Sequence, residues 1–280
     1  MGFACVDAVS NRPFTLNNWY NFLLPSSVFL LPSSFFLLIM TLKAVLFDFN
    51  GVIINDESIH ENIIDRLMLD ENLQLKRGEF REVCLGRSDR TYITELLKRR
   101  GRYLTETYLD RLLLGKTQAY QEKINSLETL PIYDGLAEFI DKIRVSGRKM
   151  AVVSGAMRSD IELVLDRSGL AANFELIVAG DDLAASKPEP DGYLLAVELL
   201  NQKYPGFNLR AIECLALEDT FAGIEAAKKA GMQVAGVTHT YPFHMIQRQA
   251  NWTVDYFADL ELDRVSELCS IAPKSTAPNT

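Results

Sequence analysis

Two patterns of apolar and polar residues alternate along the chain from residue 132 onward. Short runs of apolar residues are separated by longer stretches in which apolar residues recur at helical spacing. The short runs predict strands buried on both faces, and the longer stretches predict amphipathic helices. This alternation is typical of a parallel sheet flanked by helices. Strands are predicted at 149–153, 174–179, 213–217 and 233–237, and helices at 136–146, 159–168, 190–203 and 221–230.

A further strand is predicted ahead of this region, at 43–47, where every residue except Lys43 is apolar. The strand is followed by Asp48, and Asn50 with Gly51 then favours a sharp turn. Ligands of open α/β sheets bind beyond the carboxyl ends of the strands, so we expect Asp48 at the floor of a site. Taken alone, Asp48 is explained equally well as a turn residue or a helix cap.

Residues 56–131 show a different pattern, rich in charged and helix-forming residues and without strand-like alternation. Apolar residues recur there at helical spacing, which predicts several short amphipathic helices. We expect a small all-helical domain inserted between the first strand and the rest of the sheet. The glycines expected to mark breaks between its helices are Gly78, Gly86, Gly101 and Gly115.

The two ends of the chain differ from the rest. Residues 17–42 carry no charge, but prolines interrupt the apolar run and the basic flank before it is limited to Arg12, so a membrane partner is disfavoured. We interpret 1–42 as a hydrophobic extension that is disordered or not part of the core. The core is expected at 43–55 and 132–260, and a C-terminal helix or tail at 261–280.

Composition narrows the classes of partner. The chain of 280 residues has 29 Lys and Arg against 37 Asp and Glu, a net charge of -8, which argues against a nucleic-acid surface. It leaves room for a small phosphorylated ligand held by a few local donors and a metal. The four cysteines show no metal-binding spacing, so a reducing, cytoplasmic setting is expected.

Polar residues at three further strand ends suit the binding of a phosphate and a metal. Ser154 and Gly155 can offer a hydroxyl and backbone N–H groups to an anion. Lys187 can neutralise phosphate oxygens. Glu218 and Asp219 would repel Asp48 unless a cation lay between them, and Mg²⁺ prefers such carboxylates.

Each of these groups also has a structural explanation. Ser154 can be a helix N-cap, Lys187 a surface lysine, and the acidic pair turn or cap residues. However, four separate segments each end with a group that phosphoryl transfer needs: a nucleophile, an anion binder, a cation and a metal-binding pair. Chance is a poor explanation of this combination. The combination therefore favours a site.

Four stretches match a known family: 46–52 (LFDFNGV), 152–155 (VVSG), 186–191 (SKPEPD) and 217–227 (LEDTFAGIEAA). In them the chain resembles the haloacid dehalogenase (HAD) superfamily, in the subfamily I branch that holds β-phosphoglucomutase-like and phosphoglycolate-phosphatase-like enzymes. The resemblance covers about 43–257. It implies an α/β fold: a Rossmann-like core, with a parallel sheet flanked by helices, and a small all-helical cap that closes over the site.

The resemblance also implies roles for the residues at the strand ends. Asp48 would be the nucleophile, and Ser154 and Lys187 would hold the transferring phosphoryl group. The residues that would bind Mg²⁺ are Asp48, Asn50 through its backbone carbonyl, Asp219, and Glu218 in support.

Two residues of the predicted cap match family features near the site. His60 follows an acidic hinge and could orient cap closure or contact the substrate, although a surface histidine of a helix is an equal explanation. Arg87 falls where related caps carry a substrate-contacting loop. Arg87 or Arg90 could bind a second anionic group of the substrate, although a solvated arginine is the commoner case.

The chain departs from the family at Asn50, where an Asp normally acts as general acid and base. An amide cannot exchange protons in this way, and such help is typically worth about 10²–10⁴-fold in rate. Three interpretations stay open: slow hydrolysis or hydrolysis of activated esters, replacement by Asp56, Glu57 or His60, and ligand binding without turnover.

The function predicted from the sequence is Mg²⁺-dependent hydrolysis of small phosphate esters such as sugar phosphates, through an aspartyl-phosphate on Asp48. A β-phosphoglucomutase-like mutase and a catalytically weak binding protein are the alternatives. The expected partner is a small phosphorylated metabolite. Neither its identity nor the oligomeric state of the protein follows from the sequence.

Overall fold

The computed structural model describes residues 41–269. The predicted extension 1–42, apart from its last two residues, and the residues after 269 lie outside the described part. The strands are β1 (Ala44–Phe47), β2 (Lys149–Val153), β3 (Leu176–Val178), β4 (Cys214–Glu218), β5 (Gln233–Val237) and β6 (Trp252–Val254). Within the described residues they form one parallel sheet in the order β3-β2-β1-β4-β5-β6.

Helices occupy the segments between the strands, as the periodicity predicts. The helices before the second strand are α1 (Glu57–Asp70), α2 (Glu79–Val83), α3 (Asp89–Lys98), α4 (Glu106–Ser126) and α5 (Leu136–Val145). The later ones are α6 (Arg158–Ser168), α7 (Asp191–Lys203), α8 (Phe221–Lys229), α9 (Phe243–Ile246) and α10 (Leu262–Cys269). No helix in the described part of the chain is long and apolar enough to cross a membrane.

Strand β1 lies at the centre of the sheet and is fully buried. Its register aligns Phe47 with Val152 of β2 and with Leu217 of β4. Because the three strands run in the same direction and end level with one another, the residues that follow them meet at one edge of the sheet. This register places the predicted strand-end groups together.

Alternate residues of β1 point to opposite faces of the sheet, and each face has its own apolar cluster. On one face, Phe47 meets Phe139 edge to face with ring centroids 6.3 Å apart. Phe139 in turn stacks on Phe257 at 5.5 Å. On the other face, Leu46 belongs to the same cluster as Tyr193 of α7.

Helices α1 to α4 form the all-helical insert between β1 and α5. Many of their buried residues make a cluster apart from those on the sheet, including Ile64, Phe80 and Leu96. Tyr120 and Ile124 of α4 instead join a cluster on the sheet, so α4 fastens the insert to the core. The division of the chain into separate core and cap domains remains a prediction.

A buried ion cluster also joins the insert to the core. Nζ of Lys116 in α4 lies 2.7 Å from Oδ2 of Asp89 in α3 and 3.2 Å from Oδ2 of Asp160 in α6. Burial lowers the pKa of Lys116, but the two carboxylates outweigh it and the pKa is raised. A charged lysine therefore bridges two acidic groups across this contact.

The structure corrects the prediction at Gly115 and adds two elements. Gly115 lies inside α4 rather than at a break. A helix tolerates an interior glycine at a cost of about 1 kcal/mol, and the buried residues on either side of Gly115 offset that cost. Strand β6 and helix α9 are additions, since both are too short to show periodicity.

Replacement of Phe139 by Ala is expected to cost about 3–5 kcal/mol in the free energy of unfolding, because it opens a cavity between two aromatic neighbours. Urea unfolding followed by circular dichroism measures this. Val145→Ala, in the same helix but 81% exposed, is the matched control and should change stability by less than about 0.5 kcal/mol. Equal effects of the two changes would contradict the assigned core.

Candidate active site

Asp48 follows β1 directly and lies at the buried edge where the central strands end. Lys187, from the loop that precedes α7, places Nζ 2.9 Å from Oδ1 of Asp48 and 2.7 Å from Oε1 of Glu218. The same ammonium group donates to the carbonyl of Val153 at 3.1 Å. Lys187 therefore ties together the ends of β1, β2 and β4.

The surroundings of Lys187 keep it charged. Burial lowers its pKa, but the adjacent carboxylates of Asp48 and Glu218 outweigh this effect and raise the pKa above its usual value. A fixed positive charge beside Asp48 is what an incoming phosphate dianion requires.

Three buried carboxylates lie together at this edge: Asp48, Glu218 and Asp219 have oxygens within 4.8 Å of one another. Burial and the charge of Asp48 raise the pKa of Glu218 to about 7. Burial, Asp48 and Glu218 raise the pKa of Asp219 well above its usual range. Lys187 compensates only part of this negative charge, so the cluster is short of a cation.

The cluster fits a divalent metal ion. Oδ1 of Asp219 is buried and, among the described residues, has no hydrogen-bond partner, whereas Oδ2 accepts one from Thr240. Gly51 has φ +76°, and a Cβ there would lie 1.9 Å from Oδ2 of Asp219. Only glycine allows the turn after Asp48 to approach this carboxylate so closely. An all-oxygen set of this kind suits Mg²⁺.

Ser154 and Gly155 lie after β2, as predicted. Ser154 is buried and its Oγ accepts a hydrogen bond from the backbone N–H of Ala156 at 3.1 Å. A Cβ on Gly155 would lie 2.8 Å from the carbonyl oxygen of Arg87. The loop of the insert thus packs directly on the backbone after β2, and the role of both residues in anion binding remains a prediction.

The insert covers the strand ends and leaves a cavity of about 60 Å³. Core residues on its wall include Asp48, Asn50 and Lys187, and the insert adds His60 and Arg87. The loop before α3 is held down by a hydrogen bond from the N–H of Ser88 to Oγ of Ser186, 2.7 Å long. The structure therefore brings His60 and Arg87 to the same cavity as Asp48. Arg90 does not line this cavity and pairs with Glu106 and Asp110 instead.

Asn50 is held by a group of polar residues, which we call the Asp56 network (Asn50, Asp56, His60 and Tyr120). Asp56 and Tyr120 are buried, and Asn50 and His60 are half-buried. Nδ2 of Asn50 lies 2.9 and 3.1 Å from the two carboxylate oxygens of Asp56. Nε2 of His60 lies 3.1 Å from the same nitrogen. Tyr120 donates its hydroxyl to Asp56 at 2.5 Å and stacks on His60.

Asp56 remains ionised inside this network. Burial raises its pKa, but His60, Tyr120 and Asn50 together outweigh the burial and lower it. The carboxylate is fully buried, so its charge is satisfied by these neighbours rather than by water. The prediction named Asp56 only as a possible replacement for the missing acid, not as the partner of Asn50.

The sequence analysis does not identify several residues that hold the site residues in place. Tyr193 donates its hydroxyl to Oε1 of Glu218 at 2.5 Å, but in sequence it is an ordinary buried position of a helix. His239 donates from Nδ1 to the carbonyl of Gly51 at 2.7 Å, and burial lowers its pKa, which favours the neutral ring. His239 and Thr240 follow the strand that ends at Val237, and that position was the available signal.

The family assignment follows from comparison with known proteins. Residues 45–237 match the model of the haloacid dehalogenase-like hydrolase family. The match spans most of the chain. It includes β2 to β5 and all of β1 except its first residue, Ala44, and it ends before β6. The chain belongs to this family.

The alignments with individual relatives extend over nearly the whole length of those relatives. The chain is 27% identical over 234 residues to the protein CbbY of Rhodobacter capsulatus, across 82% of this chain and 100% of that protein. It is 26% identical over 228 residues to β-phosphoglucomutase of Bacillus subtilis, across 81% and 95%. A solved structure of CbbY from Rhodobacter sphaeroides, in complex with xylulose-(1,5)bisphosphate, superposes with a TM-score of 0.68 at 25% identity, across 78% and 96%.

Addition of Mg²⁺ is expected to stabilise the protein, because the cation would relieve the repulsion among the three carboxylates. At a hundredfold excess over Kd the gain is about 2.7 kcal/mol, which corresponds to an increase in melting temperature of roughly 5–10 °C for a chain of this size. Differential scanning fluorimetry with and without Mg²⁺ measures it.

Asp219→Asn should lose most of this shift and, without metal, should melt no lower than the native protein, since it removes a repulsive charge. Asp141→Asn, an exposed carboxylate of α5, should retain the full shift. Equal Mg²⁺ shifts in all three proteins would contradict the metal site.

Proposed function

We propose that the protein is a Mg²⁺-dependent phosphatase of small phosphate monoesters. One observation carries this proposal: Asp48 stands at the end of the central strand, beside a charged lysine and a carboxylate cluster short of a cation. A carboxylate in that setting can attack phosphorus while neighbouring positive charge stabilises the transition state.

The metal would be held by Asp48, by the backbone carbonyl of Asn50 and by Asp219, with Glu218 in support. When bound, it supplies positive charge to the phosphoryl oxygens. Glu218 would also have a second role in this site. It forms an ion pair with Lys187, which also pairs with Asp48, and so positions the ammonium group.

The chain's own residues then account for the steps. Asp48 attacks phosphorus in line with the leaving oxygen and forms an aspartyl-phosphate. Lys187, the hydroxyl of Ser154 and the N–H groups around Gly155 hold the phosphoryl oxygens. Water releases phosphate, and the insert keeps bulk water away from the reacting atoms.

The remainder of the substrate would lie under the insert. His60 and Arg87 line the cavity there and are the proposed contacts for that part of the molecule. The likeness to CbbY, solved with a sugar bisphosphate, supports a sugar phosphate or similar metabolite. The likeness to β-phosphoglucomutase favours a second candidate, transfer of the phosphoryl group to another sugar phosphate.

The setting of the protein is part of the proposal. The acidic charge supports a metabolite rather than a nucleic acid as partner. A cytoplasmic location, expected from the scattered cysteines, remains a prediction, and the oligomeric state is left open.

Phosphate release from a panel of sugar phosphates and aryl phosphates, with Mg²⁺, tests the proposed activity. Asp48→Asn should lower kcat by at least about 10³-fold, because the nucleophile acts as part of a unit with Lys187 and the metal. Chelation of the metal should have a comparable effect.

The matched control is Asp141→Asn, which should retain native activity. Release that is unchanged in Asp48→Asn would contradict the assignment of the nucleophile. Consumption of a sugar phosphate without phosphate release, dependent on a bisphosphate, would instead support the phosphomutase.

A further inference from the structure

The orientation of the Asn50 side chain is fixed by its contacts with Asp56. Nδ2 of Asn50 lies within hydrogen-bond distance of both carboxylate oxygens, and Tyr120 donates its hydroxyl to one of them, so Asp56 acts as an acceptor and selects the nitrogen of the amide. With the amide turned over, the carbonyl oxygen would face the carboxylate at 2.9–3.1 Å. Asn50 lines the cavity. Because its side-chain nitrogen is bound to Asp56, the side-chain oxygen Oδ1 is the atom of the amide that can contact a ligand. That oxygen can accept a hydrogen bond but supplies no proton.

The same geometry disfavours an acid at position 50. A carboxylate there would meet the fully buried Asp56 at the distance now occupied by the amide nitrogen. Two ionised carboxylates at such a distance repel each other, and the repulsion is strong because Asp56 is shielded from water. Asn50 and Asp56 are therefore a matched pair, one amide against one carboxylate.

We propose that Asp56 is a positioning residue that holds Asn50 as a hydrogen-bond acceptor, and that the enzyme prefers phosphate monoesters whose leaving group departs as a stable anion, such as enol or aryl phosphates. This inference rests on the proposed hydrolysis at Asp48. It narrows the substrates proposed above, because esters of sugar hydroxyls, whose leaving group is a basic alkoxide, would be the slower ones.

His60 and Glu57, the other groups considered as replacements for the missing acid, are both paired with neighbouring residues. His60 lies within the Asp56 network, 3.3 Å from Oδ2 of Asp56. Glu57 lies 3.7 Å from Nε of Arg81 in α2. Position 50 itself holds an amide, which supplies no proton to a leaving group.

The reaction balances without a general acid. When Asp48 attacks, the bond from phosphorus to the leaving oxygen breaks and its electron pair stays on that oxygen, so the group leaves as an anion. Water then attacks the phosphorus of the aspartyl-phosphate dianion and the bond to Asp48 breaks. Both hydrogens of the water leave on the product, H₂PO₄⁻, and the carboxylate is regenerated.

The first test varies the leaving group. Phosphate release with Mg²⁺ is measured for a series from 4-nitrophenyl phosphate through phenyl phosphate to glycerol phosphate. We expect kcat/KM of the native enzyme to fall steeply as the leaving group becomes more basic. A shallow dependence in the native enzyme overturns the proposal, because it would require a proton donor in the cavity.

The exchanged variant, Asn50→Asp combined with Asp56→Asn, keeps one amide and one carboxylate but moves the acid to position 50. From 4-nitrophenyl phosphate to glycerol phosphate, kcat/KM of this variant should fall less than kcat/KM of the native enzyme. The difference between the two decreases should be about 10²–10⁴-fold, the usual contribution of general acid catalysis. A series in which both proteins lose activity equally overturns the proposed role of Asn50.

Failure of the inference and failure of the proposed function give different results. If the native protein releases no more phosphate from 4-nitrophenyl phosphate than Asp48→Asn does, the hydrolysis itself is wrong, and with it the substrate class. If it releases phosphate equally well from good and poor leaving groups, the hydrolysis stands and the inference fails.

Thermal unfolding tests the matched pair without any turnover. Asn50→Asp alone should lower the melting temperature by roughly 5 °C, because it places a second negative charge beside the buried Asp56. Asp56→Asn alone should also lower it, and the exchanged variant should recover most of the loss. Gln118→Glu, an exposed amide of α4, is the matched control and should melt near the native value. Additive effects of the two single changes overturn the pair.

Discussion

The mutual repulsion of three buried carboxylates is the constraint on which the site depends. Asp48, Glu218 and Asp219 meet where parallel strands end level, and burial makes their shared charge costly. Lys187 supplies one compensating charge from a separate loop. In the proposed function a divalent cation would supply the rest, and the phosphate of a substrate would bind beside it and Lys187. The parallel register of β1, β2 and β4 brings these charges together.

The chemistry of the strand ends could be predicted because it depends on topology alone. In a parallel sheet every carboxyl end faces the same edge, so a polar residue after each apolar run marks the site without knowledge of distances. Asp48, Ser154 and Asp219 were found in this way. Long amphipathic stretches predicted the helices equally well, since their periodicity extends over several turns.

Contacts that depend on the tertiary fold could not be predicted. The hydrogen bond between Asn50 and Asp56 depends on the path of the turn after β1 and on Tyr120, which approaches from α4, 64 residues further along the chain. Nothing in the sequence distinguishes Lys116 from the other charged residues of the insert, yet it is buried against Asp89 and Asp160. Gly115 looked like a break because local propensity ignores the packing that holds a helix together.

The central claim is that Asp48 carries the phosphoryl group during turnover. The most direct measurement is to mix the protein with Mg²⁺ and 4-nitrophenyl phosphate, quench in acid within the first turnovers, and analyse peptides by mass spectrometry. The account predicts phosphate on Asp48 in the native protein and none at this position in Asp48→Asn. Turnover accompanied by phosphate on a different side chain, or by no labelling of Asp48 at any quench time, would contradict it.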